Sequence, residues 1–248
     1  MRARRGVEWA VLLRSLAVQG SFNYETLTGS GFGFAILPAL RRIHGGDREA
    51  LAAAVQRHAG AFNSHPYLAP LALGAVIRLE EEGEDPEVID RFKAALRGSL
   101  GTMGDRLVWT GWRPACVLGM LALLLMGLPW WFAILAFLVL YNVGHFGLMV
   151  WGLSVGLAEG RGVAHRLTGS VRTTLSRVMA GGALLAGAVI ALVVLRGVPG
   201  AVEPSGWLWL VLAAAGAAAG ARWGERVRRV AVAGAVLLGV VGLLAGLA

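Results

Sequence analysis

The chain has 248 residues, 56% of them hydrophobic, a formal net charge of +8 and one cysteine, with a mean hydropathy of +0.65. One cysteine, Cys116, excludes an intrachain disulfide and a thiolate metal cluster. The basic residues gather beside apolar spans rather than in a stripe interleaved with aromatics, which fits the positive-inside pattern of a membrane protein and argues against a nucleic-acid partner.

The expected fold class is therefore an all-α integral membrane protein: amino-terminal amphipathic or interfacial helices followed by a bundle of about five transmembrane or re-entrant helices. No cleavable signal is expected: Arg2, Arg4 and Arg5 resemble an n-region, but Glu8 and Arg14 bracket too short an apolar stretch. Residues 6–28 read as an amphipathic helix lying on a surface, with Trp9, Leu12, Leu13, Leu16 and Ala17 on one side. Residues 27–40 form a glycine-broken apolar segment of about half the roughly 20 residues a spanning helix needs. Closed by Pro38 and Arg41-Arg42, it reads as re-entrant or interfacial. Gly45-Gly46 breaks the chain, Asp47 is a candidate N-cap, and Leu51, Val55 and Phe62 recur at helical spacing. Pro66 suits the first turn of the next helix, which ends in the acidic run 80–84, read as a solvated face. Asp85-Pro86 reads as N-cap and first helical residue, with Ile89, Phe92 and Leu96 as the buried stripe.

At 98–114, GSLGTMGDRLVWTGWRP, a charged helical half gives way to an apolar one. Gly98, Gly101 and Gly104 would each cost a helix about 0.8–1 kcal/mol relative to Ala, so close approach of another backbone or a ligand is expected there. The apolar segments that follow are 115–128, 130–157, 178–195, 207–221 and 230–248. Arginine-rich loops at 161–177 and 222–229 are expected inside and the arginine-poor loop between them outside, giving about five crossings and a cytoplasmic amino terminus. The segments 115–128 and 207–221 are short enough to be re-entrant or tilted. Gly152, Gly156 and Gly160, and Gly216 with Gly220, form small-xxx-small steps that imply close helix packing. The domain division is 1–113, cytoplasmic and interfacial helices with the re-entrant segment; 114–160, a membrane hairpin; 161–177, a basic cytoplasmic loop; and 178–248, the carboxy-terminal spans.

His44, His58, His65, His145 and His165 have no zinc spacing, and there is no nucleophile elbow, phosphate loop or dinucleotide fingerprint. No catalytic residue, metal or cofactor is expected. What stands out is polar side chains in apolar, glycine-bearing contexts: Gln19, Asn23 and Glu25; Asn63 and His65; Asp105, Trp109 and Arg113; Asn142 and His145. Amides, carboxylates and tryptophans suit an uncharged, hydroxyl-rich solute. Taken singly, Asn63 and Asp105 also suit helix caps, His65 a loop hydrogen bond before proline, and Arg113 an interfacial anchor beside Trp112.

Five stretches carry a family resemblance: QGSFNYE at 19–25, GFAILPAL at 33–40, FNSHPYLAPLALGAV at 62–76, the 98–114 junction, and YNVGHFGLMVWGLSVGLAEG at 141–160. Over about residues 10–160 the chain resembles the IID component of the mannose/fructose/sorbose family of the phosphoenolpyruvate-dependent sugar phosphotransferase system. The resemblance implies a non-catalytic subunit in the bacterial cytoplasmic membrane that forms a hexose translocation path with a IIC subunit. Cytoplasmic IIA and IIB subunits would carry the phosphohistidines, and the IIC–IID unit would be a homo-oligomer. It also implies that Gln19, Asn23, Glu25, Asn63, His65, Asp105, Trp109, Arg113 and Asn142 contribute to substrate binding. Phe22 stands where tryptophan is usual, Met149 where arginine is common and Gly144 where proline is frequent, and the loop after the YN motif is short. These departures motivate an alternative, a non-transporting relative that serves as a membrane regulator or scaffold. A lipid or glycan enzyme using His65 and Asp105 is a third expectation, with no partner spacing to support it.

Overall fold

The computed structural model of the chain describes residues 2–167, 169 and 172–197. Two of the five expected spans, 207–221 and 230–248, lie outside the described residues, as do Gly216, Gly220 and the arginine-rich loop at 222–229. Among the described residues the chain is helical, with no strand beyond two isolated bridges. It forms two compact units, Met1–Val108 with Asn142–Thr173, and Trp109–Tyr141 with the described residues from Thr174 onward.

In the first unit α1 (Arg2–Ser15) is shorter than the 6–28 helix expected, because residues 16–28 are turns held by their own hydrogen bonds. The second helix, α2 (Gly29–His44), runs through Pro38 rather than stopping there, and it buries Phe32, Ala35, Ile36, Ala39 and Leu40. Proline lacks an N–H, so it strips the carbonyl four residues earlier of its helical partner. That carbonyl is Phe34 O, and Arg14 Nη1 of α1 donates to it at 3.3 Å. A cation from a neighbouring helix thus stands in for the bond that Pro38 removes, and the helix continues for another turn and a half. With its buried face packed on α1, α3 and α4, α2 is a core helix of this unit, longer than the short re-entrant or interfacial element expected.

Local signals set the next boundaries. Asp47 Oδ1 accepts from the backbone N–H of Glu49 (2.9 Å) and Ala50 (3.0 Å) and starts α3 (Arg48–Ala59). The fourth helix, α4 (Ala69–Glu81), begins three residues later than Pro66 suggested: Pro70 lies in its first turn, and Pro66 sits in the preceding turn, whose His65 carbonyl accepts from Leu68 and Ala69. Eleven of the thirteen residues of α4 are buried, which makes it the central helix of the unit. Asp85 Oδ1 caps α5 (Pro86–Gly104) through Glu87 N at 2.8 Å, and Ile89, Leu96 and Leu100 face the core with Phe92 half-buried beside them.

After α5 the helix widens into a π-helical segment (Asp105–Trp112) and returns to α6 (Arg113–Leu125), an unbroken helical run of 40 residues. The stretch 115–128 is therefore the end of a long helix and not a separate short span. A turn leads into α7 (Trp130–Glu159), then a single 3-10 turn (Gly160–Gly162), the short α8 (Val163–Arg166) and α9 (Arg172–Gly197). Among the described residues three segments, Pro86–Leu125, Trp130–Arg166 and Thr173–Ile190, are long and apolar enough to cross a membrane. In the second unit Trp112 Nε1 donates to Tyr141 O at 3.4 Å, and Phe137 stacks on Tyr141. Trp130, Trp131, Leu135 and Leu138 are exposed, as expected of side chains facing lipid.

Within the described residues, the small-xxx-small steps of α7 pack as the sequence suggested. A Cβ on Gly156 would strike Leu71 O, and a Cβ on Gly74 would strike Leu153 O, so α4 and α7 meet backbone to backbone at reciprocal glycines. Gly156→Ala is expected to lower stability by about 2 kcal/mol, in the range for overpacked interiors, read as a reduced thermal midpoint in detergent. An unchanged midpoint would mean that the two helices part without penalty. Of Gly98, Gly101 and Gly104, only Gly104 is crowded, against the His65 side chain; Gly98 and Gly101 have nothing within 4 Å of an added Cβ.

Candidate functional site

His65 is brought to the centre of the first unit by the turn that starts α4, and it is 2% exposed. Its Nδ1 accepts from Tyr67 N–H at 3.2 Å, which leaves Nε2 as the protonated nitrogen of a neutral ring. Burial lowers its pKa to about 4, against an upward pull from Asp105 and a further downward push from His145. At neutral pH His65 is thus a fixed hydrogen-bonding group, poorly matched to general acid or base work, which weighs against the enzymatic reading. Gly104 lies against the His65 ring so closely that a Cβ would collide with His65 Cβ and Cγ. The next residue, Asp105, opens the π-helical segment and is exposed. π-helical turns inside α-helices occur frequently at functional sites.

Tyr67 extends the cluster. Its ring meets His65 edge-on at 5.0 Å and stacks on His145 of α7 at 3.6 Å. Asn142 is three residues before His145, hence on the same helix face, and half-buried. Segments 64–67, 104–105 and 142–145 thus meet through His65, Gly104, Tyr67 and His145, with the exposed Asp105 next in the chain to Gly104. Tyr67 and His145 were absent from the expected site residues. His145 had stood out as a polar residue in an apolar helix, but no spacing pairs it with a tyrosine 78 residues earlier.

Gln19, Asn23 and Glu25 occupy the turn region between α1 and α2, and all three are exposed, as is Asn63. The Asn23 side chain organises this loop: Oδ1 accepts from Glu25 N (3.0 Å) and Thr26 N (2.8 Å), while Nδ2 donates to Thr26 Oγ1 (2.8 Å) and Ser21 O (3.2 Å). Leu27 is held at φ 57°, a left-handed conformation unusual for leucine. The strain is locked in by bonds to the segment that carries Asn63: Thr28 N and Oγ1 both donate to Phe62 O at 2.9 Å, and Phe62 N donates to Thr26 O at 3.1 Å. Trp109 and Arg113 belong to the second unit. The Arg113 guanidinium lies 5.4 Å from the Trp109 ring centre, and the pair borders an open depression of about 390 Å³ with Pro114, Val117 and Leu118.

A second polar cluster is buried among the amino-terminal helices. Glu80, expected on a solvated face, is 5% exposed. Its Oε1 accepts from Arg57 Nη2 (2.6 Å) and His58 Nε2 (2.7 Å), and its Oε2 meets His44 Nε2 at 2.9 Å. Lys93 Nζ donates to Arg57 O at 2.6 Å and ties α5 to the same point. Burial pushes the Glu80 carboxyl up, but the bonds from His58, Arg57 and His44 outweigh it and hold its pKa at about 2. Burial lowers the pKa of His58, opposed in part by its bond to Glu80. The rest of the acidic run is paired too, Glu81 with Arg42, Glu82 with Arg78 and Glu84 with Arg161. Among the described residues no group of three His, Cys, Asp or Glu side chains could hold a metal ion.

The sequence model of the family described as "PTS system mannose/fructose/sorbose family IID component" matches residues 5–204. The chain is 32% identical over 158 residues to the mannose-specific EIID component of Escherichia coli strain K12, covering 60% of this chain and 54% of that one. It is 29% identical over 170 residues to the fructose permease IID component of Bacillus subtilis, covering 65% and 60%. The matched stretch thus spans little more than half the length of these curated relatives. A cryo-EM structure of the mannose transporter ManYZ with microcin E492 aligns with TM-score 0.58 at 29% identity, covering 75% of this chain and 69% of that one.

Proposed function

The chain belongs to the mannose/fructose/sorbose family of PTS IID components, and from that premise we propose that it is the membrane subunit which, with a IIC partner, forms the translocation path for a hexose. In this reading it sits in a bacterial cytoplasmic membrane with its amino terminus inside, within an oligomer of IIC–IID units. Phosphoryl transfer belongs to separate IIA and IIB subunits, and this chain contributes path and docking without being phosphorylated. The observation that carries the reading is the His65, Tyr67, His145 and Asp105 cluster, where polar groups from three segments meet beside a π-helical turn. Neutral imidazole, phenol and carboxylate are groups that hydrogen-bond sugar hydroxyls, and ring faces pack on a pyranose. The Asn23 loop, Asn63, Asn142 and the Trp109–Arg113 pair are assigned to the same path as proposals of the family pattern.

The test is uptake of labelled mannose, fructose and sorbose in cells that supply IIA, IIB and IIC with this chain. Asp105→Ala is expected to lower uptake more than tenfold while the IIC partner still co-purifies in unchanged ratio. Asn23→Ala is expected to lower it as well, through loss of the four bonds that shape its loop. Normal uptake by both variants would remove these residues from the path. The scaffold reading is favoured by one observation: Met149, where arginine is common in the family, is 2% exposed and packed. Recovery of the chain from native membranes without a IIC-type partner would support that reading instead.

A further inference from the structure

The first helix has two apolar faces, and the helical unit it belongs to covers one of them. Val7 and Val11 turn inward, Val11 fully buried, and in the turn that follows the helix Val18 is almost fully buried as well. On the other side Trp9, Leu13 and Leu16 recur at i, i+4 and i+7 and are 60%, 63% and 49% exposed. Phe34 of α2 continues the surface, its ring lying 4.7 Å from the Arg14 guanidinium that bridges the two helices. The loop between the helices adds Phe22 and Tyr24, in edge-on contact at 6.2 Å, with Tyr24 95% exposed.

Two features say what covers this surface. The loop is not free to fold its rings away, because the four bonds of the Asn23 side chain and the links to Phe62 fix it in place. Aromatic tips are thereby held outward at no further ordering cost when they are covered. The charge around the patch is mainly basic: the sequence places Arg2, Arg4 and Arg5 at the start of α1, whose first turn has no acid, and Arg14 at its end, against the two acids Glu8 on α1 and Glu25 beside Tyr24. Tryptophan, tyrosine and leucine flanked by arginine is the composition of a helix lying in the headgroup and acyl boundary of an anionic leaflet.

We propose that the outer face of α1, with the Phe22–Tyr24 loop tip and Phe34, seats in the interfacial layer of an anionic phospholipid leaflet. The apolar side chains enter the acyl boundary and the terminal arginines meet the headgroups. This surface would keep the amino-terminal helices down on the membrane whether or not the chain carries sugar.

The test uses the full chain alone in nanodiscs doped with acyl-diazirine phosphatidylglycerol or, in parallel, acyl-diazirine phosphatidylcholine. After irradiation and trypsin digestion, adducts are expected on peptides 6–14 and 15–41 of the unaltered chain, at least threefold more with phosphatidylglycerol. Arg2→Gln/Arg4→Gln/Arg5→Gln should abolish that excess and leave the adducts themselves, those of the first helix then being read on peptide 1–14 because the cleavage site after residue 5 is gone. Adducts confined to residues beyond 105, or equal yields from the two lipids, would overturn the proposal. So would adducts on 6–41 that disappear when a IIC-type subunit is co-reconstituted, since the face would then belong to a protein contact.

Discussion

Glu80→Ala is expected to destabilise the amino-terminal helices by about 3–5 kcal/mol, the range for removing one partner of a buried ion pair. The size follows from what is left behind. Arg57 and His58 lose their acceptor in a place where water does not reach His58, and Lys93 remains a cation 5% exposed. His58 Nδ1 and Arg57 Nε are already buried without a hydrogen-bond partner, so the cluster carries unmet polar groups even before Glu80 is removed. The measurement is thermal unfolding of the purified chain in mild detergent, with helix content as the signal. A loss below about 1 kcal/mol would be that of an exposed pair and would refute the buried staple.

The pH dependence distinguishes the groups. The Glu80 carboxyl is depressed to about 2 from 4.5, so its contribution is complete above pH 4.5 and is lost as the pH falls towards 2. The histidines work at a higher pH in the same direction. His65 is lowered to about 4 from 6.5, so the unfolded chain takes up the proton first, and stability is full above 6.5 and declines as the pH falls towards 4. The Glu80→Ala chain should keep the decline below 6.5 and lose the carboxylate step below 4.5.

How much of this was legible depended on how far each interaction reaches along the chain. Asp47 and Asp85 were readable as caps because their partners lie two or three residues away. The extent of α7 was readable from hydropathy alone. Pro38 was misread as a stop because its remedy, Arg14, comes from another helix 20 residues earlier. Glu80 was misread as solvated because a run of acids looks the same whether or not three helices close over its first member. Its burial follows from α4 being central, and no local pattern states that. At the candidate site, His65 and Asp105 were picked out as polar residues among glycines, whereas Tyr67 was not singled out, because nothing near it in the chain marks its contacts with His65 and His145. Trp109 and Arg113 were readable as neighbours from their spacing of four, but their place in the second unit was not.

Gly104→Ala carries the sharpest expectation for the site. Alanine is the better helix former by roughly 1 kcal/mol, so propensity alone predicts a more stable chain. The added methyl, however, meets Cβ and Cγ of His65, the near end of a buried side chain that cannot swing clear. Overpacking of this kind typically costs 1–3 kcal/mol, so sterics should win and the net change should be destabilising. The displaced ring then also loses its place against Tyr67, and uptake should fall more than tenfold. The double variant Gly104→Ala/His65→Ala separates the two effects. With the imidazole gone the methyl has room, and stability should recover to that of His65→Ala or above, a coupling of at least about 1 kcal/mol between the two positions. Uptake should not recover, because the hydrogen-bonding ring is absent. Stability effects that simply add would mean that the collision is relieved elsewhere, and full uptake by Gly104→Ala would mean that the position of His65 does not matter to transport.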